Sequence, residues 1–125
     1  MRFDTASIRI QAERSAYGEH GVPIFATSGY VFDTAEVAAG AFAGENQHPI
    51  YARFDNPNTD EFAAKMARLE GAEAALATTS GMSAIFASMM GLLRSGDHVV
   101  GSFQVFSSTL GLLKEFLPRW GIETT

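Results

Sequence analysis

The sequence contains no cysteine. That excludes disulfides, thiolate metal sites and a cysteine nucleophile together. Basic residues are scarce as well: Lys and Arg number 9 against 14 Asp and Glu, for a formal charge of −5. No Lys/Arg cluster offers the local positive footprint that nucleic acid requires, so no nucleic-acid partner is expected. Long hydrophobic runs are missing too. The longest apolar stretch, Met82 to Leu93, is broken by serines and Gly91, and falls short of the about 20 residues that cross a bilayer. Met1-Arg2-Phe3-Asp4-Thr5-Ala6 has no apolar core of the signal-peptide kind. A soluble cytoplasmic protein, away from membranes, is expected. Dinucleotide, Walker and zinc-protease motifs are absent, and His20, His48 and His98 lack ligand spacing, so no metal is expected.

What is present is globular material, 46% hydrophobic and 18% charged. The length suits one small domain or a piece of a larger one. Residues 1–60 are dense in breakers, Gly18, Gly21, Pro23, Gly29, Gly40, Gly44, Pro49 and Pro57, which exclude long regular elements. Between them stand Tyr17, Phe25, Tyr30, Phe32, Phe42, Tyr51 and Phe54. Such a segment buries itself poorly and is expected to act as an arm, packed on the rest of a larger subunit or on a partner subunit. Short helices are expected near Ile8–Arg14 and over Thr34–Phe42, the latter capped by Asp33 or Thr34.

From Asn58 the pattern becomes regular. Asn58 or Thr59 can cap a helix with Phe62, Met66 and Leu69 on one face and Gly71 at its end. A buried strand is expected over Ala74–Thr78, then a helix over Met82–Arg94 that is apolar nearly all round and so sandwiched. His98–Gly101 reads as a strand buried on both faces. A third helix should run from Ser107 or Ser108 to about Arg119 on a stripe of Leu110, Leu113 and Leu117. Gly121–Thr125 resembles the start of another strand. This alternation builds a parallel α/β sheet, with so few strands that the sequence is expected to break off within a fold.

Two stretches could carry chemistry. A strand turning through Thr78-Thr79-Ser80-Gly81 into a helix makes Ser80-Gly81-Met82 a candidate phosphate cradle. The first helical amides have no intrahelical partner, the dipole favours an anion, and Gly81 lets a ligand approach the backbone. The same pattern also suits an ordinary strand-to-helix turn. In an extended Tyr51-Ala52-Arg53, the phenol and guanidinium would point to one face and could clamp a dianion. An exposed arginine beside a packed tyrosine is the alternative.

Tyr51-Ala-Arg53-Phe-Asp-Asn56-Pro57, Leu69-Glu70-Gly71-Ala72-Glu73, Ser80-Gly81-Met82-Ser83-Ala84-Ile85 and Ser95-Gly96-Asp97-His98-Val99 resemble, in order and spacing, the trans-sulfuration (Cys/Met metabolism) family of pyridoxal-phosphate enzymes. Thr27-Ser28-Gly29-Tyr30-Val31-Phe32 looks like the family's early segment. The resemblance covers nearly the whole chain and implies a fold type I subunit. Residues 1–60 would be the arm that reaches a neighbouring active site, and 61–125 the incomplete beginning of the cofactor-binding large domain. It implies that Tyr51 and Arg53 bind the cofactor phosphate of the partner subunit. The amides of Gly81 and Met82, with Ser80, would bind that of their own subunit.

The family's Tyr-Gly-Gly-Thr is here Phe106-Ser107-Ser108-Thr109. Phe106 can stack on the cofactor ring but offers no hydroxyl, which puts that tyrosine's acid–base role in question. Phe106 as a core residue at a loop end is the other reading. A Phe here looks like the homoserine-ester sulfhydrylase branch. The family's Schiff-base lysine is expected beyond Thr125, so no catalytic residue is expected within the chain. Lys65 and Lys114 read as solvated helix positions, and Asp55, Asp60, Glu70 and Glu73 as helix-end charges.

The resemblance implies that the complete enzyme replaces the γ-acyloxy group of an activated homoserine ester by sulfide, giving homocysteine, with another thiol as nucleophile left open. Cystathionine γ-synthase and γ-lyase chemistry stay open. A homotetramer, a dimer of dimers with shared sites, is implied, and the chain alone is expected to be inactive. A non-catalytic phosphate-binding α/β module is the rival from another class.

Overall fold

A computed structural model describes residues 2–11 and 13–125. The chain forms two compact units, Met1–Ala77 and Thr78–Thr125.

The first unit is held by polar clips more than by a core. Helix α1 spans Phe3–Arg9. It lies earlier than the expected Ile8–Arg14, of which Ala12 lies outside the described residues. Asp4 in its first turn and Arg9 in its last complement the helix dipole. Helix α2, Ala35–Ala43, begins where Thr34 Oγ1 accepts the Val37 amide at 3.3 Å. Helix α3, Pro57–Glu70, has Asn56 as its N-cap, not Asn58 or Thr59. Pro57 explains the difference: its ring presets the helical φ at the first position, where no amide partner is needed. Asn56 Oδ1 accepts the Asn58 amide at 3.0 Å, while its Nδ2 donates to the Phe25 carbonyl at 3.1 Å. Asn58 instead binds the preceding segment, accepting from the Phe25 amide at 2.8 Å and donating to the Pro23 carbonyl at 2.8 Å.

Gly71 ends α3 in the left-handed region at φ 67°, where L residues with a Cβ are strained. On the apolar face of α3, Met66 and Leu69 are half-buried and Phe62 is exposed, while the fully buried position is Ala67. Helices α1 and α3 are in contact, and each buries one alanine, Ala6 and Ala67. The expected strand over Ala74–Thr78 has no sheet partner among the described residues, and Leu76 is exposed. An apolar run becomes a strand only when another strand takes its amides and carbonyls.

The second unit has a small apolar centre. Helix α4, Gly81–Leu92, buries no residue of its own, so the expected sandwich is not formed among the described residues. Met89, Met90 and Leu93 touch the core of Leu113, Leu117 and Ile122, while Phe86 and Leu92 are exposed. Strand β1, His98–Val99, pairs in parallel with β2, Glu123–Thr124, in the register His98 to Glu123 and Val99 to Thr124. Only one face of β1 is covered: Val99 packs on the core, whereas His98 and Val100 are exposed. Between the strands, α5 (Ser107–Gly111) continues through a π-helical turn, Leu112–Phe116, into a 3₁₀ turn, Leu117–Trp120. One uniform helix was expected to Arg119. Pro118 lacks the N–H that an α ladder would need there, and the last turns rewind around it. Leu113 and Leu117 of the expected stripe are buried, joined by Leu112. No helix among the described residues is long and apolar enough to cross a membrane.

Candidate functional site

The head of α4 is built by hydroxyls. Ser80, extended at φ −161° and ψ 161°, accepts the Ser83 amide on its Oγ at 3.0 Å. The two serine hydroxyls lie 2.9 Å apart, Thr79 Oγ1 is 3.3 Å from Ser83 Oγ, and Thr78 Oγ1 donates to the Ser80 carbonyl at 2.9 Å. The cap therefore satisfies the amide of Ser83. The amides of Gly81 and Met82 make no hydrogen bond among the described residues. No acidic side chain occupies the first turn, so nothing there offsets the positive end of the dipole. A Cβ placed on Gly81 would meet nothing within 4 Å. Two unpaired donors beside open space can receive an anion.

Phe106 heads α5 and is 70% exposed, without cover from the described residues. Its carbonyl accepts the Thr109 amide at 2.9 Å and the Leu110 amide at 3.1 Å. The Thr109 hydroxyl donates to Met82 Sδ at 3.7 Å. Ser80, Gly81 and Met82 are thus connected to the turn that carries Phe106. Met82, Ser83 and Ser108 also line a largely apolar cleft of about 600 Å³ with Phe86, Leu112 and Trp120.

Tyr51 and Arg53 belong to the other unit. Tyr51 bridges Gly29 in antiparallel fashion, but the next residues are a turn and not the expected extended strand. The Tyr51 carbonyl accepts the amides of Phe54 at 2.8 Å and Asp55 at 3.1 Å, which curls the chain. Phenol and guanidinium are nevertheless brought together. Arg53 Cζ lies 5.0 Å from the Tyr51 ring centre and 5.2 Å from that of Phe54, a stacked arrangement. No carboxylate pairs with Arg53 among the described residues. Arg53 is exposed, with its guanidinium carbon over both aromatic rings.

Lys65 is ion-paired to Glu61 at 3.1 Å on the surface of α3, and Lys114 is exposed in the π-helical turn. Sequence reasoning missed Ser83, Thr79 and Thr109. The serine spacing Ser80-x-x-Ser83 is a legible capping signal. The Thr109–Met82 contact has no local signal, because it joins distant positions.

The α/β chain thus presents unpaired amides at a helix head and an exposed aromatic on the turn tied to it. The comparisons are specific. A family model, Cys/Met metabolism PLP-dependent enzyme, matches residues 4–125, and the chain belongs to that family. The chain is 50% identical over 121 residues to the O-succinylhomoserine sulfhydrylase of Pseudomonas aeruginosa, covering 97% of this chain and 30% of that protein. It is 40% identical over 123 residues to an L-methionine gamma-lyase of Porphyromonas gingivalis, covering 98% of this chain and 31% of that protein. A Campylobacter jejuni structure described as an O-acetylhomoserine (thiol)-lyase superposes with a TM-score of 0.91 at 28% identity, over 99% of this chain and 31% of that one. That structure contains a pyridoxyl-lysine monophosphate. The chain thus spans just under a third of the length of these relatives, and its fold is a segment of fold type I.

The family's cofactor is pyridoxal phosphate. The residues present fit it: unpaired amides with space beside Gly81 suit a phosphate, and an exposed ring suits a pyridine.

Proposed function

We propose that this chain is the cofactor-anchoring N-terminal segment of a homoserine-ester sulfhydrylase, acting on O-succinylhomoserine or O-acetylhomoserine with sulfide to form homocysteine. The observation that carries the reading is the 50% identity to an O-succinylhomoserine sulfhydrylase across nearly the whole chain. In this reading the Gly81 and Met82 amides, ordered by Ser80, hold the phosphate of their own subunit's cofactor. Phe106 stacks on its ring. Residues 1–60 form the arm of a cytoplasmic homotetramer, and Tyr51 and Arg53 reach the phosphate in a neighbouring subunit. The exposed guanidinium, which pairs with no carboxylate among the described residues, supports that assignment.

Pyridoxal phosphate, when bound, supplies the electron sink that lets the γ-substituent of the substrate leave. The segment's own part is binding and orientation. Its donors fix the phosphate end, and that fixes the angle at which the reactive end meets the rest of the site. Phe106 offers no hydroxyl, so proton transfer falls to other groups. Lys65 is engaged with Glu61 on a helix surface, and neither lysine lies in a matching motif. In this reading the catalytic lysine lies beyond Thr125, and the isolated chain is expected to be inactive.

The test is an assay of the full-length protein with O-succinylhomoserine and sulfide, followed by homocysteine release. Homocysteine formation supports the reading. Absence of homocysteine together with methanethiol release from methionine would favour the γ-lyase alternative, which the 40% identity to a methionine gamma-lyase supports. Turnover by the isolated 125-residue chain would overturn the placement of the lysine.

A further inference from the structure

We propose that Thr109 is a positioning residue, whose hydroxyl, by holding the Met82 side chain, sets the register between the Phe106 ring and the amide cradle at the head of α4. The inference rests on the cofactor reading above. Thr109 is 7% exposed, and a hydroxyl this buried needs an acceptor. The acceptor is the thioether of Met82, at 3.7 Å. The same residue gives its amide to the Phe106 carbonyl at 2.9 Å. One threonine therefore touches the turn that carries the stacking ring and the residue that supplies one of the two free amides.

The chemistry suits positioning rather than anchoring. A thioether is a weak acceptor, so the contact adds little to the fold. Methionine, however, has three rotatable bonds and adapts readily. Fixing its sulfur ties the first turn of α4, where that amide sits, to the head of α5. A cofactor held at both phosphate and ring senses a change in the spacing between the two. The apolar cleft lined by Met82, Phe86 and Ser108 leaves room for the Met82 side chain to move when the tie is lost.

The test uses the full-length protein, with three readouts: affinity of the apoenzyme for pyridoxal phosphate, visible circular dichroism of the bound cofactor, and thermal stability without cofactor. Thr109→Val keeps the shape and removes the donor, whereas Thr109→Ser keeps the donor. We expect Thr109→Val to weaken cofactor affinity by about five- to tenfold, on the scale of one hydrogen bond. It should also alter the dichroic band, with Thr109→Ser within about twofold of wild type. Met82→Leu, which keeps the backbone amide and removes the sulfur, should give the same loss, and adding Thr109→Val to it should cost nothing further. Met82→Leu also serves should the valine variant not fold.

Unchanged affinity and dichroism in Met82→Leu or a folded Thr109→Val would overturn the proposal, as would additive losses in the double variant. Wild-type cofactor binding that is untouched by Gly81→Ala would overturn the cradle reading itself, and this inference with it.

Discussion

Gly81→Ala adds one methyl group where the structure has open space, and its effects on folding and on cofactor binding should carry opposite signs. The residue opens α4 and its Cβ would meet no atom within 4 Å. Its φ is not in the left-handed region, so an L side chain adds no backbone strain there. Alanine loses less backbone entropy than glycine on entering a helix, by roughly 0.5–1 kcal/mol in a helix interior and less at its first position. The apoprotein should therefore be as stable as wild type or slightly more so. Cofactor binding should suffer, because the methyl group occupies the approach to the free amides. Displacing a charged oxygen from one such donor costs about 1.5–3 kcal/mol, or roughly a 10- to 150-fold weaker dissociation constant. The assay is a titration of full-length apoenzyme with pyridoxal phosphate, beside thermal unfolding without it. An alanine variant that binds the cofactor as wild type does would refute the cradle. A variant that loses stability in the apo form would refute the claim that the glycine serves the ligand and not the fold.

Leu117 has no exposed surface, so Leu117→Ala should destabilise the full-length protein by about 2–5 kcal/mol in urea unfolding; a loss near zero would contradict the assignment of the core. Asn56→Ala removes an N-cap and a bond to the Phe25 carbonyl. A loss of about 1–2 kcal/mol is expected, with amides of residues 23–25 exchanging faster, and unchanged exchange there would sink the clip. The carboxyl of Glu36 is held below the usual glutamate range by its own backbone amide first and the Thr34 hydroxyl second. That of Glu19 is lowered mainly by the Ser15 hydroxyl and then by its amide. A depressed folded value gives stabilisation that is present above the unfolded pKa and fades as pH falls through the folded one. Carboxyl NMR titration should find both midpoints below those of the unfolded chain, and a midpoint at or above them would remove the cap or the turn concerned.

The legible parts of the fold were those set by local chemistry. Thr34 as a cap, Gly71 as a stop and the α4 stretch each follow from a side chain or backbone acting on its near neighbours. The displaced cap of α3 was readable in the same terms, since Pro57 marks a first helical position and leaves Asn56 to cap it. What failed depended on distant partners. Ala74–Thr78 has the composition of a strand, but pairing is a property of two segments. The apolar girth of α4 predicted cover on all sides, which Phe86 and Leu92 do not receive from the described residues. At the site, the Ser80 cap and the open space beside Gly81 were readable because both are local, and the phosphate role of Ser80, Gly81 and Met82 is the proposal that follows from them. Tyr51 and Arg53 do lie together, but through a turn and not the strand alternation expected. Thr109 was silent in the sequence because its contact with Met82 crosses the unit.

The most direct measurement is a structure of the full-length protein with pyridoxal phosphate bound. The account predicts phosphate oxygens within about 3 Å of the Gly81 and Met82 backbone nitrogens, with the cofactor ring against Phe106. A phosphate bound elsewhere, with those amides still solvated, would contradict it.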